Sequence, residues 1–191
     1  KISYVYLLPC LYAKIKQKRV VEMKDVFVKT SEQLFTIPSW SEMDGALIAG
    51  FTTKNGGVGK SHFSTLNIAF HVHDLEEDIV KNRNIIAGET GFPLGTWVGA
   101  EQTHRTNIGR VTKADKGRGS TDYASALKDT DGMYTDERGI FLTLCYADCV
   151  PIFYFAPKQN LIGVVHAGWK GTVAGIAADM VAAWNAIGVE A

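Results

Sequence analysis

Residues 139–175, GIFLTLCYADCVPIFYFAPKQNLIGVVHAGWKGTVAG, carry the clearest structural signal in the chain. They contain three apolar runs of strand length, at residues 140–145, 152–155 and 161–165. A Pro-Lys-Gln-Asn turn at residues 157–160 separates the second run from the third. Short continuous apolar runs bounded by turn residues indicate buried strands, so this stretch predicts part of a central sheet.

Two reactive side chains lie at the ends of these predicted strands. Cys149 occupies the Asp-Cys-Val-Pro bend before the second strand, and His166 ends the third strand, just before a Gly-rich segment. Because strand ends on neighbouring strands can meet in space, the pair predicts a reactive or metal-binding site. A buried thiol and a hydrogen-bonded core histidine are the alternative interpretation.

The composition narrows the possible classes of function. The 191 residues carry 20 basic and 20 acidic side chains without a basic block, which argues against nucleic-acid and anionic-membrane partners. The length predicts one domain with a substantial core. The three cysteines, Cys10, Cys145 and Cys149, are too sparse for a disulfide scaffold and indicate a reducing compartment, so we expect a cytoplasmic protein.

The first residues differ in character from the rest of the chain. Residues 1–19 form an apolar run, broken by Pro9, that ends in basic residues. The run is too short to span a bilayer, and a signal peptide would carry its basic residues before the apolar run. We therefore expect residues 1–22 to be an extension outside the domain, such as read-through sequence, and a single domain over residues 23–191.

Strands and helices are also predicted outside the central stretch. Strands are expected, in chain order, at residues 26–28, 34–35, 46–53 and 96–104, with a continuation at 108–112. Residues 113–129 are polar without a period, which predicts a long loop. A helix is predicted over residues 75–89, with Asp74 as its cap, and a second over residues 172–187, where apolar residues repeat at helical spacing.

The first predicted helix places a positive charge on its buried face. Its apolar stripe includes Ile79 and Ile86, and Arg83 lies at i+4 from Ile79. An inward-facing guanidinium requires a negative partner. A buried carboxylate is the favoured partner, and a phosphate or carboxylate of a substrate is the alternative.

A third candidate ligand joins the Cys149 and His166 pair. The strand over residues 96–104 puts Gln102 and His104 on one face, at the end where that strand leaves the core. Zinc accepts Cys and His ligands, and a catalytic zinc keeps three protein ligands and one open position. The spacing is not a local metal-binding signature, so two alternatives stay open: a metal-free Cys149 nucleophile activated by His166, and a non-catalytic zinc module.

Charged groups flank these three residues. The helix that follows Gly171 presents its first N–H groups beside Lys170, which predicts an anion pocket next to His166. Asp148 and Asp131 supply carboxylates for acid–base chemistry or for orienting a histidine.

Six short motifs resemble the signatures of the YfiH/YlmD-like family. They are, in chain order, STLN at 64–67, NR at 82–83, QTH at 102–104, TDG at 130–132, ADCVP at 147–151 and HAGWKG at 166–171. The last two are the most specific. The family was formerly called multicopper polyphenol oxidase or laccase-domain proteins. It is now described as purine nucleoside phosphorylases with adenosine deaminase and methylthioadenosine phosphorylase activity.

The resemblance implies a fold, a cofactor and a set of substrates. The fold would be α+β, a mixed β-sheet sandwich flanked by helices in a four-layer α/β/β/α order. The cofactor would be zinc, with copper less favoured because multicopper sites need further His ligands and usually a Met ligand. Adenosine, inosine, guanosine or methylthioadenosine would react with phosphate. The partners would be these small molecules, with no nucleic acid and no membrane, and the protein would be a monomer or homodimer.

The resemblance also assigns site residues by motif position. The metal ligands would be His104, Cys149 and His166. The catalytic residues would be these three and Asp148. The substrate-binding residues would be Asn67, Arg83, Gln102, Asp131 and Lys170.

Four departures from the family pattern qualify these expectations. Arg105 and His73 replace glycines that the family usually carries, and Lys170 replaces an arginine in the HAGWRG motif. A lysine keeps the positive charge but loses the two-pronged contact that arginine makes with an oxyanion. The family also continues past the position of Ala191, with a second Cys-containing motif, so we expect substrate contacts from that portion to be missing from this chain.

Overall fold

The computed structural model describes residues 25–189, within which nine strands and four helices are formed. The strands are β1 (Val28–Lys29), β2 (Leu34–Thr36), β3 (Gly50–Thr52), β4 (Trp97–Gly99), β5 (Ile108–Arg110), β6 (Gly132–Thr135), β7 (Phe141–Thr143), β8 (Val150–Ala156) and β9 (Leu161–Ala167). The helices are α1 (Pro38–Met43), α2 (Glu76–Thr90), α3 (Trp169–Ala174) and α4 (Ile176–Asn185). The expected extension over residues 1–22, with Cys10, lies outside the described residues. Within residues 25–189, every helix is too short or too polar to cross a membrane.

Three sheets organise the strands. The largest is mixed, with the order β5-β6-β9-β8, in which β5 and β6 are parallel and the other pairs antiparallel. β4 and β7 form a parallel pair, and β1, β2 and β3 form an antiparallel sheet. β8 and β9 pair along their whole length, from Val150 opposite Ala167 to Ala156 opposite Leu161. The second and third apolar runs recognised in the sequence are therefore one continuous antiparallel ladder, whereas the first run forms β7 and pairs with β4 in a separate sheet.

The alternation of side chains along β9 and β4 shows the order in which the layers pack. In β9, Val165 belongs to the apolar cluster beneath α4, whereas Val164 faces the β4–β7 sheet and shares a cluster with Val98. In β4, Val98 faces this inner cluster and Trp97 faces the opposite side, where it packs with Ile86 of α2. The layers therefore follow the order α4, mixed sheet, β4–β7 sheet, α2, and the expected α+β sandwich flanked by helices is confirmed.

The predicted cap of α2 is wrong, although its end is confirmed. The N-cap residue is Leu75, and no side chain caps the helix. Asp74 instead accepts hydrogen bonds from the Leu75 N–H at 2.8 Å and from the Asn67 side-chain amide at 3.0 Å, so its carboxylate is committed to the preceding loop. The helix ends at Thr90 because Gly91 adopts a left-handed φ of 73°.

The single helix predicted over residues 172–187 is two helices. Gly175 has a left-handed φ of 93°, which ends α3 and starts α4 in a new direction. Met180 and Trp184 are buried as predicted. Val173 lies before the break and is 83% exposed, so its predicted place on the buried stripe is wrong.

The predicted strand over residues 96–104 is shorter than expected. β4 ends at Gly99, and Ala100 makes only an isolated bridge to Leu127. Strand geometry cannot continue to His104, because that residue has a left-handed φ of 61°. The segment that follows β4 is therefore a loop, and β5 joins the other sheet instead of continuing β4.

The long loop over residues 113–129 is confirmed. Its one regular element is a 3₁₀ turn at Lys113–Asp115. Arg118 holds the loop together by donating to the Ser125 carbonyl and to the Asp115 carboxylate, both at 3.1 Å. Hydrogen bonds within the loop therefore hold it in one conformation.

Candidate metal centre

Two of the predicted ligands meet because of the register between β8 and β9. Val150 pairs with Ala167, and Pro151 pairs with His166, so Cys149, which directly precedes Val150, lies at the same end of the ladder as His166. The third residue, His104, arrives from the loop between β4 and β5. One ligand atom from each of these three residues lies within 4.8 Å of the other two. The three residues chosen from the sequence are thus brought together.

The three residues fit a zinc ion. Zinc–sulfur and zinc–nitrogen bonds of about 2.3 and 2.0 Å in a tetrahedron need ligand atoms about 3.3–3.6 Å apart, which small side-chain adjustments reach from this arrangement. Gly168 leaves room at the centre: a Cβ there would lie 3.0 Å from the His104 Cδ2 atom and 3.3 Å from the Cys149 sulfur. His166 is buried and His104 is exposed, so the site opens to solvent on one side. Three ligands with an open side are typical of a catalytic zinc site.

Asp131 joins two of the three candidate ligands. Its carboxylate is fully buried. Oδ1 accepts hydrogen bonds from His166 Nδ1 at 2.8 Å and from the His104 N–H at 3.0 Å. Oδ2 accepts from the N–H groups of Thr103 and Arg105 at 3.1 and 2.9 Å. Protein donors therefore occupy both oxygens, and the buried carboxylate leaves no free acceptor for a substrate.

The charge of Asp131 follows from these contacts. Burial by itself would raise the pKa of Asp131, but the hydrogen bonds from His166 and from three backbone N–H groups outweigh it and hold the pKa below its ordinary value. Asp131 is therefore ionised at neutral pH. An ionised carboxylate only accepts hydrogen bonds, so the proton of a neutral His166 lies on Nδ1 and Nε2 is free to bind a metal.

Cys149 has the opposite electrostatic surroundings from an activated nucleophile. Burial raises the pKa of the Cys149 thiol, and the negative charges of Asp148 and Asp131 raise it further. A reactive cysteine requires a lowered pKa, which nearby positive charge provides. A bound metal ion is a positive charge of that kind, so the site favours Cys149 as a ligand over Cys149 as a free nucleophile.

Arg83 is buried, but its expected partner is wrong. In the described part of the chain its hydrogen-bond acceptors are backbone carbonyls and not a carboxylate: Nε donates to Ile68 at 2.8 Å, and Nη1 donates to Gly119 at 2.6 Å and Ser120 at 3.1 Å. The guanidinium also lies 4.4 Å from the centre of the Phe70 ring. Arg83 therefore ties α2 to the two loops that carry these carbonyls.

Gln102 and Asn67 likewise make contacts within the protein. The Gln102 amide exchanges two hydrogen bonds with the backbone of Cys145, at 2.7 and 2.8 Å, which fixes the loop before His104 against the end of β7. Asn67 donates to Asp74 and accepts from the Ala69 N–H at 3.1 Å. These amides shape the loops around the candidate site.

Three exposed charged residues lie close in sequence to the ligands: Arg105, which pairs with Asp129 at 3.5 Å, and Lys170 and Asp148. Lys170 is the second residue of α3, and its amino group lies 5.7 Å from the centre of the Trp169 ring. Asp148 is exposed and directly precedes Cys149. Both side chains are free to meet a small molecule that enters from solvent. α3, which contains Lys170, has only six residues, so its dipole is weaker than that of the longer helix predicted from the sequence.

Two features of the site were missed in the sequence. A Cβ at Gly168 would lie within 3.7 Å of all three ligands, so only a residue without a side chain leaves this space open, but a glycine in a Gly-rich segment gave no signal of that role. His71 lines a narrow cavity with Arg83 and Cys145. Burial lowers the pKa of His71.

The fold and the site together define a class of protein: an α+β sandwich with a His/Cys group at the edge of its mixed sheet that could hold a metal ion. Comparison with known families identifies this class more specifically. The profile of the family described as multi-copper polyphenol oxidoreductase laccase matches residues 48–191, and the chain belongs to this family.

Relatives with assigned names are close in sequence. The chain is 48% identical over 162 residues to the purine nucleoside phosphorylase YlmD of Bacillus subtilis, covering 83% of this chain and 58% of that protein. It is 50% identical over 138 residues to YlmD of Geobacillus stearothermophilus, covering 72% of this chain and 50% of that protein. The chain thus spans between half and three fifths of the length of these two relatives.

Solved structures agree with the fold. The crystal structures of Bacillus licheniformis YfiH and Geobacillus stearothermophilus YlmD both superpose with a TM-score of 0.81, at 43% and 44% identity. Each comparison covers 85% of this chain and 59% of the other. The expected resemblance to YfiH/YlmD proteins is confirmed.

Proposed function

We propose that this chain is the metal-binding part of a zinc-dependent purine nucleoside phosphorylase that also deaminates adenosine. The substrates would be adenosine, inosine, guanosine or methylthioadenosine with inorganic phosphate. The observation that carries the proposal is the convergence of the ligand atoms within 4.8 Å, in a chain whose relatives are named purine nucleoside phosphorylases.

The metal assignment rests on the donor set. His104, Cys149 and His166 would hold the ion, with His166 binding through Nε2 because its Nδ1 donates to Asp131. Two imidazoles and one thiolate suit zinc, whereas blue-copper and multicopper sites use additional His or Met ligands. When bound, zinc would supply a Lewis acid that stabilises developing negative charge at the reacting centre.

The exposed charges would handle the two substrates. Lys170 would hold phosphate beside the open side of the site as a point charge. An oxygen of that phosphate would form the new bond to the ribose C1′ atom as the bond from C1′ to the purine nitrogen breaks, with the bonding electron pair leaving on the purine. The departing purine would take up a proton, and Asp148, the exposed carboxyl beside Cys149, is the group that would relay it from solvent. Asn67, Gln102 and Arg83 would contribute by holding the surrounding loops.

A phosphate-dependence assay tests the reaction. Purified protein is incubated with adenosine, with and without inorganic phosphate, and adenine, inosine and ribose 1-phosphate are quantified. We expect adenine and ribose 1-phosphate only when phosphate is present, and inosine in both conditions. Adenine formed at the same rate without phosphate would mean a hydrolase, and no conversion of any purine nucleoside would contradict the enzyme assignment.

A matched pair of lysine variants tests the phosphate contact. Lys170→Ala should depress adenine formation more than inosine formation, because only phosphorolysis requires the second anion. Lys158→Ala is the control, since Lys158 is exposed in the turn between β8 and β9, at the end of the ladder opposite Cys149. An equal effect of the two variants would remove Lys170 from the phosphate site.

Iodoacetamide separates this proposal from a metal-free Cys–His hydrolase. A zinc-bound Cys149 should resist alkylation until a chelator removes the metal. Rapid alkylation of the untreated protein, with retained zinc content, would instead place a free thiolate in the site. Full activity in a folded Cys149→Ala protein would favour the non-catalytic zinc module.

A further inference from the structure

We propose that Asp131 is the positioning residue of the metal centre, fixing the ring of His166 and the backbone of His104 in ligand geometry before a metal binds. The inference rests on the proposed metal site but not on the reaction. It differs from the expectation that Asp131 contacts substrate, because its carboxylate is fully buried and both oxygens accept hydrogen bonds from the protein.

The topology places Asp131 where the two ligand segments converge. Asp131 directly precedes β6, and β6 lies between β5 and β9 in the mixed sheet. The loop that carries His104 leads into β5, and His166 belongs to β9. The His166 N–H also donates to the Asp131 carbonyl at 2.7 Å. One residue thus contacts both neighbouring segments through its backbone and side chain.

The first consequence concerns the His166 ring. The hydrogen bond from Nδ1 to Asp131 Oδ1, at 2.8 Å, holds the ring orientation and places the proton of the neutral imidazole on Nδ1. Nε2 therefore keeps its lone pair for a metal. A carboxylate that orients a ligating histidine in this way also raises the basicity of the ligand nitrogen.

The second consequence concerns the loop that carries His104. A left-handed φ is unfavourable for a residue with a side chain, and His104 has a φ of 61°. Asp131 accepts hydrogen bonds from the N–H groups of three consecutive residues, Thr103, His104 and Arg105. Three donors on one carboxylate hold this turn in its uncommon conformation, so His104 is presented to the site without help from a metal.

A neighbouring carboxylate provides a matched control. Asp129 supports the same loop by accepting from the Thr103 hydroxyl at 2.5 Å and the Asn107 amide at 2.7 Å, and none of its hydrogen bonds within residues 25–189 reaches a candidate ligand. Asp131→Asn keeps the size of the side chain. In either orientation of the amide, however, its NH₂ group faces N–H donors of the protein, so hydrogen bonds that Asp131 accepts are lost. Asp129→Asn removes a charge from the same loop without touching the ligands.

The test measures the zinc affinity of the wild type and both variants by competition with a chromophoric chelator. In a second assay, cobalt replaces zinc, and its absorption spectrum reports the ligand geometry. We expect Asp131→Asn to lose about 10- to 100-fold in zinc affinity and to alter the cobalt spectrum, with Asp129→Asn within about twofold of wild type. Equal affinities for Asp131→Asn and wild type, or equal losses in the two variants, would overturn the inference.

A measurement on the wild type guards against a variant that fails to fold. Nitrogen-15 NMR of the metal-free protein reports which ring nitrogen of His166 carries the proton. The inference requires the Nδ1–H form, and an Nε2–H form would overturn it. If the wild type binds no zinc at all, the proposed metal site fails, and this outcome is distinct from a wild type that binds zinc and an Asp131→Asn variant that binds it equally well.

Discussion

Replacing Arg83 by lysine separates a structural role from a substrate contact. The substitution keeps the positive charge but removes the planar group that reaches three carbonyls in two loops, those of Ile68, Gly119 and Ser120. A lysine ammonium is a single point donor, so it can replace only one of these contacts well. We therefore expect Arg83→Lys to destabilise the fold.

The magnitude follows from the contacts. A net contribution of about 1.5 kcal/mol for each of two lost charge-assisted hydrogen bonds gives a loss of about 3 kcal/mol in the free energy of unfolding. Burial adds to this loss: it already lowers the pKa of Arg83, and it would draw a lysine, whose ordinary pKa is lower, closer to neutralisation. The loss is a large part of the stability of an ordinary domain, about 5–15 kcal/mol.

Urea unfolding followed by circular dichroism measures the effect by linear extrapolation. Arg110→Lys is the control, because Arg110 pairs with Asp136 at 2.9 Å on the exposed surface, where solvent screens such pairs and they contribute little to stability. A free energy of unfolding for Arg83→Lys within about 1 kcal/mol of the wild-type value would mean that the carbonyl contacts do not hold the loops together. Impaired phosphate use with unchanged stability would then return Arg83 to the substrate site.

Further predictions concern the metal and the α3–α4 break. The purified protein should hold about one zinc per chain, and metal analysis should find that most of it is lost in each of the variants His104→Ala, Cys149→Ala and His166→Ala, because three ligands leave no redundancy. Met180→Ala should cost about 2–5 kcal/mol in urea unfolding, since Met180 is fully buried on the face of α4 that packs against the mixed sheet. Val173→Ala should change stability by less than about 0.5 kcal/mol, because Val173 is exposed, and a larger loss would mean that α3 and α4 continue as one packed helix.

The sequence predicted the central ladder because its signals were local. Apolar runs bounded by a turn at residues 157–160 identified β8 and β9, and their antiparallel pairing placed Cys149 and His166 together. His104 was reached for a partly mistaken reason. It was expected at the end of a strand, whereas it occupies a left-handed turn that tertiary hydrogen bonds to Asp131 stabilise.

The errors at Asp74 and Arg83 share a physical cause, which is competition from tertiary contacts that the local sequence pattern does not reveal. Asp74 has the pattern of a helix cap, but Asn67 occupies its carboxylate. Arg83 was correctly placed on the buried face, yet its partners are backbone carbonyls, and carbonyls carry no residue-specific signal in a sequence. The break at Gly175 was missed because the helical spacing of apolar residues continues on both sides of that glycine.

Gly168 shows how a residue without a side chain can determine a metal site. A Cβ at this position would lie 3.0 Å from His104 Cδ2 and 3.3 Å from the Cys149 sulfur, closer than ordinary contacts. Its backbone, with φ of −66° and ψ of 164°, is open to any residue, so Gly168→Ala adds a methyl group without backbone strain. We therefore expect Gly168→Ala to retain the melting temperature of the metal-free wild type and to lose zinc affinity, because His104 and Cys149 must separate. Chelator competition and calorimetry measure the two quantities. Unchanged zinc affinity would show that the ligands shift freely, and the site would then be less pre-organised than its contacts imply.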